Sequence, residues 1–223
     1  MKRAITILLL IAASIFAQDQ TYSNEKPDKS FHKHRGFYFS EGLTVAYSYT
    51  RHHSCTIGCR YMQESKMSGF LHPYEEIRLG ASIANIISLY AALGAGIGTA
   101  HYEFVENYED DEELNENIDS YDMLLKFLFG GGVEFYPIRD QFSPIYGSFI
   151  GLTVGISIDM ALDHHDFIYS FIRFEVGKDW WFSRRWSYGF AFNYTLGDTT
   201  SEIDNERDSY RNHTIGLTFR LSH

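Results

Sequence analysis

The C-terminal run Asn212–His223 alternates without a slip. Ile215, Leu217, Phe219 and Leu221 fall on one side, and Thr214, Gly216, Thr218 and Arg220 on the other. A two-residue period is that of a strand. An arginine on the row opposite the apolar side chains suits a wall with lipid outside and polar groups within. That is the pattern of a β-barrel in a bilayer.

Seven earlier segments share the alternation, at about 36–50, 74–86, 88–104, 120–136, 145–160, 167–181 and 185–196. In the fourth, Met123, Leu125, Phe127 and Phe129 oppose Lys126, Gly130, Gly132 and Glu134. In the sixth, Ile172, Phe174 and Val176 oppose Arg173, Glu175 and Gly177. Each segment can cross a hydrocarbon core, which takes roughly 9–11 tilted residues. The fold class expected is all-β: a transmembrane, antiparallel, up-and-down barrel of eight strands. Aromatics make up 17% of the chain, with 18 glycines against 4 prolines, which favours twisted sheets with aromatic girdles over helices.

The connections after the first, third, fifth and seventh segments are read as long outer loops, at about 51–73, 105–119, 161–166 and 197–211. The others are read as tight periplasmic turns, and an even strand count puts both termini on the periplasmic side. Leu79 to Ala100 carries no charge and imitates a membrane helix. Its glycines Gly80, Gly94, Gly96 and Gly98 share one parity with Ser82 and Ala84, so a hairpin turning near Asn85–Ser88 is expected instead.

Residues 1–17 read as a secretory signal: a basic start at Lys2 and Arg3, an apolar run from Ile5 to Phe16, and a cut after Ala17. Residues 18–35 read as a flexible periplasmic leader, and 36–223 as the barrel. The formal charge of −10 opposes nucleic-acid binding. Cys55 and Cys59 fall in the first outer loop, where an oxidising compartment favours a small disulfide. His52 and His53 just upstream leave a metal site as the alternative.

The polar rows carry a balanced set of charges: Glu76, Arg78, Lys126, Glu134, Asp159, Arg173, Glu175 and Arg220. Inside a small barrel these are expected to pair across a lumen filled by side chains. Glu41 breaks the rule, since it shares the parity of the apolar row; a bulge or a place near the rim would explain it. The acidic run Glu106–Asn117 lacks the ordered loop of an EF-hand and reads as a solvated loop. No catalytic group, metal or cofactor is expected. Gly94-x-Gly96-x-Gly98 is not a dinucleotide motif, and no spacing sets His164 or His165 against Ser170 as base and nucleophile.

With its signal sequence, eight alternating segments and apolar last strand, the chain resembles the small outer-membrane β-barrels of Gram-negative bacteria, the OmpA-like and OmpX-like group. The resemblance covers about residues 36–223 and rests on pattern. It implies the cell outer membrane, contact with outer-membrane lipid and lipopolysaccharide, and recognition of the last strand by the barrel-assembly machinery. Members of the group end in an aromatic residue, usually phenylalanine, where this chain has His223. A monomer is expected, without an open pore, acting structurally or through its extracellular loops. The alternative is a lipid A-modifying enzyme of deacylase or acyltransferase type. A soluble lipocalin-like binder would need the two rows inverted.

Overall fold

The computed structural model describes residues 36–56, 61–83, 86–108, 117–138, 142–161, 167–183, 185–203 and 206–223. The signal and leader readings lie outside them. Eight antiparallel strands close into one barrel in sequence order: β1 (Gly36–Thr56), β2 (Tyr61–Ile83), β3 (Ile87–Tyr108), β4 (Asn117–Phe135), β5 (Ser148–Ala161), β6 (Phe167–Trp181), β7 (Ser187–Ile203) and β8 (Glu206–Ser222). β1 pairs with β8 from Ser40↔Ser222 to Thr56↔Glu206, so every strand has two neighbours and the sheet has no open edge along its lower half. The apparent helix is the β2–β3 hairpin, paired from Ile83↔Ile87 upward.

The period-two rows decide which side chains face in. Leu43, Val45, Ile77, Leu93, Phe129, Ile156, Phe174, Phe192 and Leu217 stand on the outer wall, each at least 38% exposed. Such a continuous apolar exterior would be a liability in water and fits the hydrocarbon of a bilayer. Trp180, Tyr188 and Phe182 cluster near the end that holds both termini, as an interfacial girdle would. His223 joins this girdle: its ring meets Trp186 edge-on at 4.9 Å, and its backbone exchanges hydrogen bonds with Phe39. The terminal histidine thus occupies an aromatic place at the barrel seam.

One expectation is corrected: of the segments read as long outer loops, residues 51–56, 61–73, 105–108, 117–119, 197–203 and 206–211 are strand. β1 runs on to Thr56 and β2 begins at Tyr61, so Cys55 lies in a strand, backbone-paired with Met62 and Arg207. Only 57–60, 109–116, 162–166 and 204–205 remain between strands at the far end. The longest connection, 136–147, is at the termini end. The asymmetry of the molecule resides in strand length. β2 has 23 residues and β5 has 14. At about 3.3 Å per residue and a tilt near 40°, β1–β3 rise roughly 50–60 Å, twice the ~25 Å apolar band, whereas β5 rises roughly 35 Å. β4 pairs with β5 only from Leu124 downward, and β7 with β6 only from Asp198 downward. Above these points β4 and β7 have no β5 or β6 partner among the described residues.

Within β2 the inward row changes parity at a bulge. Tyr74, Glu76 and Arg78 face in below the shift between Leu71 and Tyr74, and Met67 faces in above it. Two residues, His72 and Pro73, oppose the single Val45 of β1 there. A bulge can hold a proline because the extra residue has no ladder bond to donate. Glu41 stands on the outer wall opposite Ile77 and Leu221, next to the end of β8 at Ser222, so it is the place near the rim and not the bulge that fits it.

Candidate functional site: the charged lumen

The eight charges named from the sequence all lie inside the barrel. Glu76, Arg78, Lys126, Glu134, Asp159, Arg173, Glu175 and Arg220 are each buried, Glu134 and Asp159 completely. They form two layers. The lower one draws from the even-numbered strands. Arg78 of β2 donates to Glu76 and Glu134 at 2.6 Å each and to Glu175 at 2.7 Å. Arg173 of β6 donates to both oxygens of Glu76, at 2.8 and 2.6 Å. Arg220 of β8 holds Asp179 through Nε at 2.8 Å and Nη2 at 2.6 Å, and reaches Glu134 at 2.5 Å. Three guanidinium groups thus bind four carboxylates across the full width of the barrel. The planar fork of arginine suits this, since one group can serve acceptors from several strands at once.

Tyrosines complete the layer. Tyr38 and Tyr136 donate to Glu134 at 3.0 and 2.8 Å, and Tyr74 donates to Glu76 at 3.2 Å. Arg220 also lies 3.7 Å from the ring centroid of Phe149, and Arg78 4.9 Å from that of Tyr90. Two buried polar atoms, Arg173 Nε and Glu175 Oε2, have no hydrogen-bond partner and face one another at 4.0 Å.

The upper layer is smaller. Asp159 accepts from Tyr169 at 2.9 Å, Ser157 at 3.2 Å and Tyr210 at 3.3 Å, with the Lys126 ammonium 3.4 Å away. Lys126 also bonds the Tyr169 hydroxyl. Between the layers is a void of about 20 Å³ lined by Lys126, Leu128, Tyr169, Arg173 and Asn193, among others. It has the size of a single water molecule. Met67, Ala100, Leu124, Leu128 and Phe171 also face the lumen, so the interior is less uniformly polar than the alternation implies.

Sequence reasoning missed Asp179, which the odd-numbered row of Arg173 and Glu175 already points to. It also missed the inward tyrosines, because aromatic residues occupy both rows. Ser170 stands on the outer wall and donates to the Asp198 carbonyl oxygen at 3.2 Å. His164, His165, Cys59 and the heart of the acidic run at 109–116 lie outside the described residues, as does the side chain of Cys55; the disulfide reading falls there. Among the described residues, no cluster of three or more His, Cys, Asp or Glu is arranged to hold a metal ion.

No protein-family model matches the chain, and no curated protein matches its sequence. Solved structures do match its fold. The outer membrane protein OprG from Pseudomonas aeruginosa superposes over 86% of this chain and 99% of its own, at 12% identity and a TM-score of 0.50. The outer membrane protein AlkL covers 89% of this chain and 96% of its own, at 12% identity and a TM-score of 0.44. The outer membrane protease OmpT from Escherichia coli covers 88% and 99%, at 9% identity and a TM-score of 0.43. An apolar wall around a charged interior is how a barrel meets a bilayer, and the chain has the fold of the small outer-membrane β-barrels.

Proposed function

We propose that this protein is a closed, non-catalytic barrel of the outer membrane that acts through the sheet it raises beyond the bilayer. The observation that carries this reading is the double brace across the lumen. Arg78, Arg173 and Arg220 join β2, β4, β6 and β8 in one layer, and Lys126 and Asp159 close a second above it. A solute would have to break several buried, charge-assisted bonds in both layers, leaving charges unpaired in a medium of low dielectric. The tall far end belongs outside, because strands that outgrow the apolar band need an aqueous space to enter. The 14- and 15-residue β5 and β6 stop short of it, so that sheet is uneven in height around the barrel.

The test is conductance. The purified barrel in planar bilayers should give no unitary steps, and liposomes containing it should retain small sugars. Stable steps from the unmodified protein, or swelling in isotonic sugar, would replace this reading with that of a channel.

A further inference from the structure

The outward rows between the Trp180–Tyr188 girdle and Tyr49 are mostly apolar. Among the described residues three charged side chains interrupt them: Glu41 of β1, Glu75 of β2 and Lys178 of β6. Glu41 is close to the rim, between Ile77 and Leu221. Glu75 stands further from it, between Leu43 and Ala95, with Ile77 next below on β2. The two carboxylates are diagonal neighbours on the β1–β2 ladder, which places their Cα atoms about 7–8 Å apart. Neither is within salt-bridge distance of a cation among the described residues. A carboxylate turned to hydrocarbon is costly, so a charge kept on such a wall marks a contact with something other than lipid tails.

The wall around Glu75 also differs from the rest in side-chain size. The outward alanines and glycine of the described strands, Ala81, Ala91, Ala95 and Gly131, all fall on β2, β3 and β4. Ala91 pairs directly with Gly131, and Ala95 with Glu75. Across the barrel, β5 and β6 turn Ile150, Leu152, Val154, Phe174 and Val176 outward, with Lys178 next below Val176. β2 and β6 are four strands apart in a closed ring of eight, so they face in opposite directions. One side of the molecule is small and acidic; the other is bulky and basic.

We infer that these two sides bind one another: a second copy of the chain, shifted sideways in the same bilayer without rotation, sets its β6 on β2, its β5 on β3 and its β7 on β1. Glu75, Leu43, Phe219, Phe190 and Lys178 lie on one ladder row. In a tilted barrel that row descends toward the girdle as it runs from β2 through β1 and β8 to β6. Lys178 thereby comes within about 5 Å of the height of Glu41, a difference the lysine stem can span. Lys178 donates to the Pro144 carbonyl oxygen, which takes one of its three N–H donors and cancels none of its charge. The aliphatic side chains of β5 meet Ala91 and Ala95 on β3, and small residues there let two convex walls approach closely. Each copy presents a different side to each neighbour, so the contact is heterologous and builds open rows of barrels instead of a closed pair.

The test begins with the unmodified barrel. Native mass spectrometry of the protein released from lipid vesicles should show a graded series of dimers, trimers and longer rows. Monomer alone would overturn the inference without any variant, so a folding failure cannot mask it. Engineered cysteines then report the arrangement. With Cys55 and Cys59 replaced by serine, Ile77→Cys/Val176→Cys should give a ladder of disulfide-linked oligomers on oxidation in vesicles, and each single cysteine should stay monomeric. A dimer from Ile77→Cys alone would overturn the inference in favour of an isologous pair. Lys178→Gln should lower the oligomer fraction at least about tenfold, and Lys66→Gln, which changes an outward cation at the far end, should not. An unchanged series from a folded Lys178→Gln barrel would overturn the ionic contact. The interface lies within the bilayer and involves neither the lumen nor the raised sheet, so these outcomes stand apart from those of the conductance experiment.

Discussion

Arg220 touches Asp179, Glu134 and Tyr136 together and stacks on Phe149. Replacing it by leucine leaves Asp179 without its cation, while Glu134 keeps Arg78, a loss on the order of 3–5 kcal/mol for a buried pair broken from one side. Adding Asp179→Asn should recover part of that loss, because the second change removes the stranded charge. Urea unfolding in lipid vesicles, followed by tryptophan fluorescence, measures both; strictly additive losses would mean that the two residues are not coupled. Gly189 gives a second case. From alternation alone, Gly189→Ser on the inward row is expected to be mild beside Phe190→Arg on the lipid side. The packing opposes a mild effect: a Cβ at Gly189 would be 2.1 Å from Asp179 Oδ1 and 2.6 Å from the Lys178 carbonyl oxygen. Gly189→Ser should therefore lower the temperature at which the folded band shifts on unheated gels, and an unchanged shift would show that Asp179 yields freely. The row assignment holds for both residues, but period two reports only which way a side chain points. It does not report that β6 and β7 bring Asp179 and Gly189 into register, and the same gap hid Asp179 as the principal acceptor of Arg220.

The strands were legible where one face meets lipid, since there each residue must declare a side. Above the membrane both faces can be polar and the alternation fades, so β2 looked as if it began at residue 74 when it begins at Tyr61. Cys55, His52 and His53 were assigned to a loop for the same reason, although β1 carries them to its end at Thr56. The His72-Pro73 bulge added to the error, because it shifts the parity of β2 and a proline reads as a strand breaker. Unequal strand length has a measurable consequence. The upper part of β4, Asn117–Met123, is paired with β3 and has no β5 partner among the described residues; Thr199–Ile203 of β7 likewise pairs only with β8. Every second amide in these two segments should exchange with deuterium faster than amides at the same height in β1, which is paired on both sides. Uniform protection across these segments would mean that the 162–166 connection covers them.

At the scale of the molecule, sidedness follows from height. The start of β1 and the end of β8 lie at one end, tied together by the Phe39–His223 backbone bonds, beside the Trp186 ring. The other end rises on β1–β4 to about twice the thickness of the apolar band. The sequence pointed to the same orientation through loop lengths, but those lengths are not what the structure has: 136–147 is the longest connection and lies with the termini. The physical argument that remains is strand height, together with an even strand count that forces both termini to one side. Two exposed residues separate the alternatives. Tyr121, 80% exposed, is at the far end of β4, and Phe142, 92% exposed, is in the connection at the termini end. In a background with Cys55 and Cys59 replaced by serine, a membrane-impermeant maleimide on intact cells should label Tyr121→Cys and spare Phe142→Cys. After the outer membrane is permeabilised, both should react. Labelling of Phe142→Cys alone on intact cells would turn the barrel over.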